Sequence, residues 1–179
     1  MILRKSTLLS FFTFLMFQFF LSGQPLPLVE FNVSSGMGLQ GSKVCLDVTV
    51  NNFIDVESVQ FNLSYNASLI IPDTFILSSS ALPFISNGNF NENNKTNGFV
   101  NFVWVNEATT IPDGSLLFTV CFTLIGEPGN ISPIYFNGQL LDVEIGQLDG
   151  NGNSVNTDEI VSNVGTITIK ANTLAVFGS

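Results

Sequence analysis

From Val44 to Val50 and again from Val59 to Tyr65, the chain alternates apolar and polar residues step by step. The first run reads Val44-Cys45-Leu46-Asp47-Val48-Thr49-Val50, and the second reads Val59-Gln60-Phe61-Asn62-Leu63-Ser64-Tyr65. A period of two places successive side chains on opposite faces of an extended strand. Each run therefore has one apolar face that must be covered. Asn51-Asn52 breaks the chain between them. Two half-buried strands so close in sequence confine the fold to layered sheets.

The remainder follows the same rhythm. Val, Ile, Thr and Phe suit strands, and Asn, Gly, Asp and Pro recur at short intervals. Strands are predicted over 28–34, 43–50, 58–65, 74–78, 99–106, 115–125, 131–137 and 164–170, with a short extra one over 85–90. Turns are marked by Gly36 to Gly41, Pro112-Asp113-Gly114 and Gly126-Glu127-Pro128-Gly129. Eight or nine short strands predict an antiparallel two-sheet sandwich. The Asn-rich stretch 87–97 reads as an exposed loop. Residues 138–163 read as one long loop, of the kind more often functional or mobile than neutral.

The first 23 residues read as a secretory signal peptide. Arg4 and Lys5 precede an apolar run from Leu8 to Leu21, and Ser22-Gly23 supply small residues at the cut. A membrane anchor is the alternative, but it needs about 20 apolar residues. The expected organisation is a leader over 1–23, one domain over 24–170, and a tail or linker over 171–179. Beyond the leader only Lys43, Lys95 and Lys170 stand against 14 acids, a net charge of −11. Such a surface repels phosphate backbones and anionic lipid, so nucleic acid is not an expected partner. Export also favours a disulfide between Cys45 and Cys121, with two unpaired thiols as the alternative.

Catalytic chemistry finds little to work with. The chain has no His, no Gly-x-Ser-x-Gly elbow and no phosphate loop. The acidic pairs Asp142/Glu144 and Asp158/Glu159 lie in the long loop without an aromatic cleft, and read as solvated charge. Asp149, Asn151 and Asn153 place oxygens at alternate positions, as a calcium loop does. Ser154 and Ile160 stand where an EF-hand needs Gly and an acid. A flexible turn is the reading, with a weak calcium site as the alternative and no cofactor expected. Five Asn-x-Ser/Thr sequons, beginning at Asn32, Asn62, Asn66, Asn94 and Asn130, follow from composition.

Taken in order, these segments resemble the cohesin domain, a secreted module that grips a partner called dockerin. The resemblance begins at Val29-Glu30-Phe31-Asn32-Val33 and runs through Gly41 to Val50 into Val59–Leu69. Tyr65-Asn66-Ala67 there departs mildly from a Tyr-Asp-Pro turn. It continues through Asn97-Gly98-Phe99-Val100-Asn101-Phe102-Val103-Trp104 and Asp113–Phe122. It closes with Ser132–Phe136 and Val164–Ile169. What it implies is a nine-stranded antiparallel jelly roll with the Cys45 and Cys121 strands side by side. The cysteine positions look like those of cohesin-like domains in large secreted bacterial surface proteins. The function implied is non-catalytic, secreted or surface-attached recognition of a dockerin-like protein.

The resemblance also implies that one sheet face does the gripping. By the alternation its outward residues are Gln60, Asn62, Ser64, Asn101, Val103 and Val105. A polar face with an apolar Val103–Val105 centre suits a protein partner. Carbohydrate-binding modules share the superfamily, so polysaccharide is the alternative ligand, with Phe90 and Phe99 as the candidate sugar contacts. A structural spacer in a larger adhesin is the third option. Trp104 alternates with Val100 and Phe102 and is expected in the core.

Overall fold

The computed structural model describes residues 26–78 and 82–172. The expected leader lies outside them, as do residues 173–179 of the expected tail. Among the described residues no helix is long and apolar enough to cross a membrane.

Among the described residues thirteen strands form two packed sheets. They are β1 (Glu30–Val33), β2 (Gly36–Leu39), β3 (Lys43–Asn51), β4 (Val56–Ser64), β5 (Ile70–Leu77), β6 (Phe90–Asn91) and β7 (Phe99–Thr109), followed by β8 (Ser115–Leu124), β9 (Ile131–Asn137), β10 (Glu144–Leu148), β11 (Ser154–Thr157), β12 (Val161–Asn163) and β13 (Gly165–Lys170). One sheet runs β12-β1-β3-β8-β5. The other runs β11-β10-β4-β9-β13-β2, with β7 on the far side of β4 and β6 outside β7. The two alternating runs become β3 and β4, one in each sheet, with their apolar faces inward.

The excess over nine strands has a physical origin. Three extended segments are each broken in two. The first crosses between sheets at Ser34-Ser35, giving β1 and β2, and the last does so at Val164, giving β12 and β13. These crossings also create the two parallel pairings, β1 with β12 and β2 with β13, in an otherwise antiparallel fold. The two chain segments approach closely at Gly165, where a Cβ would collide with the Ser34 carbonyl and the Val33 side chain. The third broken segment is β9–β10, and β6 is only two residues long.

Several boundaries differ from the sequence reading. The Gly36–Gly41 turn contains β2, and the long loop 138–163 contains β10, β11 and β12. β5 begins at Ile70, because Pro72 sits at a register shift where its missing N–H does no harm. Over 85–90 only Phe90 joins a strand, behind a 3-10 turn at Asn87–Asn89.

The core is a cluster of rings. Phe61 meets Phe136 at 4.5 Å, Phe102 at 5.0 Å and Phe31 at 5.1 Å between centroids. Burying each such ring contributes about 1.5–3 kcal/mol. Trp104 is core, as expected: it is 1% exposed and its Nε1 donates to the Pro83 carbonyl at 2.9 Å. Gly98 opens β7 with a φ of 90°, and a Cβ there would meet the Tyr65 carbonyl at 2.5 Å. That explains why the strand is entered through Asn97-Gly98.

Candidate protein-recognition face

The register of β10, β4 and β7 sets out the face row by row. Glu144 lies opposite Gln60, and Gln60 opposite Val103. One step along, Gly146 pairs with Ser58 and Ser58 with Val105. On the other side Asn62 stands between Asn137 and Asn101, and Ser64 between Tyr135 and Phe99. The alternation therefore assigned all six expected residues to the correct outer side of the sheet.

Side is not exposure, however. Asn62 is fully buried and Ser64 is 2% exposed, which corrects the reading of both as free docking residues. β9 and β10 lie along the same side of β4, Asn137 opposite Asn62 and Glu144 opposite Gln60. Six residues, 138–143, are thus looped out against the single β4 residue Phe61. They fold over the outer face. The Leu140 and Leu141 backbone N–H groups donate to Asn62 Oδ1 at 2.8 and 2.9 Å, and Asn62 Nδ2 donates to Asn101 Oδ1 at 2.7 Å. Gln60 Nε2 donates to the Asp142 carbonyl at 3.0 Å, and Ser64 Oγ to Asn137 Oδ1 at 2.9 Å.

The open part of the face lies toward β7 and β10. Val103 is 40% and Val105 72% exposed, while Gln60 and Asn101 are half-buried. A shallow depression of about 140 Å³ is lined by Ser58, Gln60, Val103, Val105 and Glu144 among others. Ser58 Oγ accepts from the Gly146 N–H at 3.1 Å, and Asn156 Nδ2 holds Glu144 Oε1 at 2.8 Å. Sequence reasoning missed Ser58, Glu144 and Asn156. The last two lay in what read as loop, and only the pairing of β10 with β4 brings them here.

The cations among the described residues lie elsewhere. Lys43 pairs with Asp73 at 2.5 Å between β3 and β5 of the other sheet, and Lys95 pairs with Glu92 at 2.8 Å. Lys170 ends β13.

No family model matches the chain, and no curated protein matches it. Solved structures do. The seventh ScaB type I cohesin from Pseudobacteroides cellulosolvens superposes with a TM-score of 0.66 at 14% identity, covering 85% of this chain and 98% of that one. A non-cellulosomal cohesin from Archaeoglobus fulgidus gives 0.58 at 20% identity, covering 81% and 93%. A type I cohesin–dockerin complex from Clostridium thermocellum gives 0.58 at 17% identity, covering 80% and 99%. The chain has the cohesin fold.

Within this cohesin fold, Cys45 and Cys121 face each other directly across β3 and β8 and form a disulfide. The unpaired-thiol alternative is thereby ruled out. The candidate sugar contacts fare differently. Phe90 is 9% exposed and stacks on Phe75 at 4.2 Å and against Phe102 and Phe118 at 5.0 Å, so it is a core ring. Its burial follows from β6 pairing with β7. Phe99 is half-buried opposite Ser64.

The Asp149–Asn153 stretch is the turn of the β10–β11 hairpin. The Asn151 and Asn153 backbone N–H groups donate to Asp149 Oδ1 at 2.8 and 2.9 Å, and Asn153 Nδ2 adds contacts at 3.2 and 3.3 Å. These hydrogen bonds, led by the Asn153 N–H, hold the Asp149 carboxyl below its ordinary range. A cation needs converging oxygens, whereas N–H groups converge here. Among the described residues no three His, Cys, Asp or Glu gather as metal ligands. Asp149, Asn151 and Asn153 thus form a turn whose carboxylate is already engaged by N–H donors.

Proposed function

We propose that this chain is an exported, non-catalytic recognition module that binds a dockerin-like protein through the outer face of β4, β7 and β10. The observation that carries the reading is the uncovered Val103–Val105 pair, ringed by the hydrogen-bonding groups of Ser58, Gln60, Asn101 and Glu144. An apolar centre within a polar rim is the anatomy of a protein interface. Cohesins of the same fold have been solved in complex with dockerins, in Clostridium thermocellum and Acetivibrio cellulolyticus among others. The leader-like first 23 residues support export. The polysaccharide alternative loses Phe90, one of its two aromatic carriers, to the core.

The test is titration of the chain from Gln24 to Ser179 against a panel of purified dockerin modules in calcium, with EDTA as the contrast. A calcium-dependent complex is expected. Val103→Lys and Val105→Lys, which place a charge at the apolar centre, are expected to weaken it tenfold or more. The reading fails if no dockerin binds, or if both lysine variants bind as the parent does.

A further inference from the structure

Among the described residues, the large aromatic side chain most exposed to solvent is not one that the sequence singled out. Phe84 is 89% exposed, and its φ is 58°. Left-handed backbone is rare for a bulky residue and strained. Asn52 and Asp55 also have positive φ, but their short polar side chains tolerate it. Leu82-Pro83-Phe84-Ile85 forms a turn closed by the Ile85 N–H to the Leu82 carbonyl at 3.4 Å. Pro second and positive φ third is the type II pattern, whose third position calls for Gly. Phe occupies it instead.

The turn is built rather than loose. Leu82 is fully buried and Ile85 packs on the core, so the flanking side chains anchor inward while Phe84 stands out. Trp104 Nε1 holds the Pro83 carbonyl at 2.9 Å, and Asn89 Nδ2 holds the Val103 carbonyl at 2.8 Å. The Asn89 tie fastens the segment to β7 at the exposed Val103, and the Trp104 tie reaches Pro83 from the inner side of the same strand.

We infer that Phe84 is an aromatic anchor for the same protein partner, extending the apolar Val103–Val105 strip past the edge of β7. This rests on the function proposed above. The occupant is an apolar side-chain patch on a dockerin-like protein. An exposed ring held in a backbone conformation that disfavours it fits a binding role better than a role in folding.

The experiment compares Phe84→Gly, Phe84→Ala and Phe84→Trp with Ile76→Ala, an exposed apolar control on β5 of the other sheet. Each chain, Gln24 to Ser179, is melted and titrated against the dockerin panel in calcium, and against soluble xylan and cellulose. Phe84→Gly is expected to melt at or above the parent, by up to about 4 °C, since Gly fits the turn. Phe84→Gly and Phe84→Ala are expected to lose at least tenfold in dockerin affinity, while Phe84→Trp and Ile76→Ala keep theirs. Dockerin binding by the parent with the Gly and Ala variants within twofold of it would overturn this inference alone. Absence of dockerin binding by the parent overturns both readings. A Phe84-dependent affinity for polysaccharide alone makes it a sugar contact and overturns the protein anchor. A Phe84→Gly melting point several degrees lower makes the ring structural.

Discussion

Asn62 shows how one side chain settles what an element does. It lies on the outer side of β4, where the alternation places it, yet it is sealed by the segment it holds. Its Oδ1 accepts two backbone N–H groups, and its Nδ2 donates to Asn101. Asn62→Ala removes the acceptor for both amides, and is expected to destabilise by about 1–3 kcal/mol. Asn62→Asp keeps the acceptor but loses the N–H that Asn62 donates to Asn101 Oδ1 and buries a charge, so it is expected to be at least as harmful. Urea unfolding midpoints of the two variants check this. Midpoints equal to the parent's would mean that residues 138–143 are not clamped by this side chain. The sequon at Asn62-Leu63-Ser64 is closed for the same reason.

The β10–β11 hairpin carries Glu144 and Asn156 to the rim of the proposed recognition face, and its turn is organised by Asp149. Asp149→Ala is expected to cut amide protection at Asn151 and Asn153, read by hydrogen exchange near neutral pH. The Asp149 carboxyl titrates below its ordinary value in the folded chain, chiefly through the Asn153 N–H. Asp73 does so chiefly through the hydrogen bond from Lys43. Folded-state values below unfolded ones contribute stability above the unfolded pKa of about 4, and that contribution is lost as pH falls through the folded values. The melting temperature is therefore expected to hold down to about pH 4 and to fall below it, with a smaller acid drop in Asp149→Ala. β11 is mostly exposed, and β10 buries Gly146 and Gln147 beside Ile145, so neither strand left a clean apolar alternation in the sequence.

For the whole molecule the disulfide is the largest single constraint. It links β3 to β8 across 76 residues of sequence. Cross-linking a chain over such a span restricts the unfolded ensemble by about 4–5 kcal/mol. Cys45→Ser with Cys121→Ser is expected to lower stability by up to that amount, and reductant should lower the parent's melting temperature alone. Calorimetry of both chains with and without reductant makes the comparison. An unaffected parent would mean that the bridge adds nothing to stability.

The sequence by itself determined the layers. Strict alternation in 43–50, 58–65 and 99–106 gave the strand type, the inward faces and the burial of Trp104, because a period of two allows one covered side. It also put Cys45 and Cys121 on compatible faces. Tertiary structure decided what lies over those faces. The excursion at 138–143, the sheet crossings at Ser34-Ser35 and Val164, and the β6 pairing that buries Phe90 all depend on long-range register. Local periodicity reports which side a residue faces. Only distant segments decide whether that side meets solvent, and so Asn62 and Phe90 are closed while Phe84 is open.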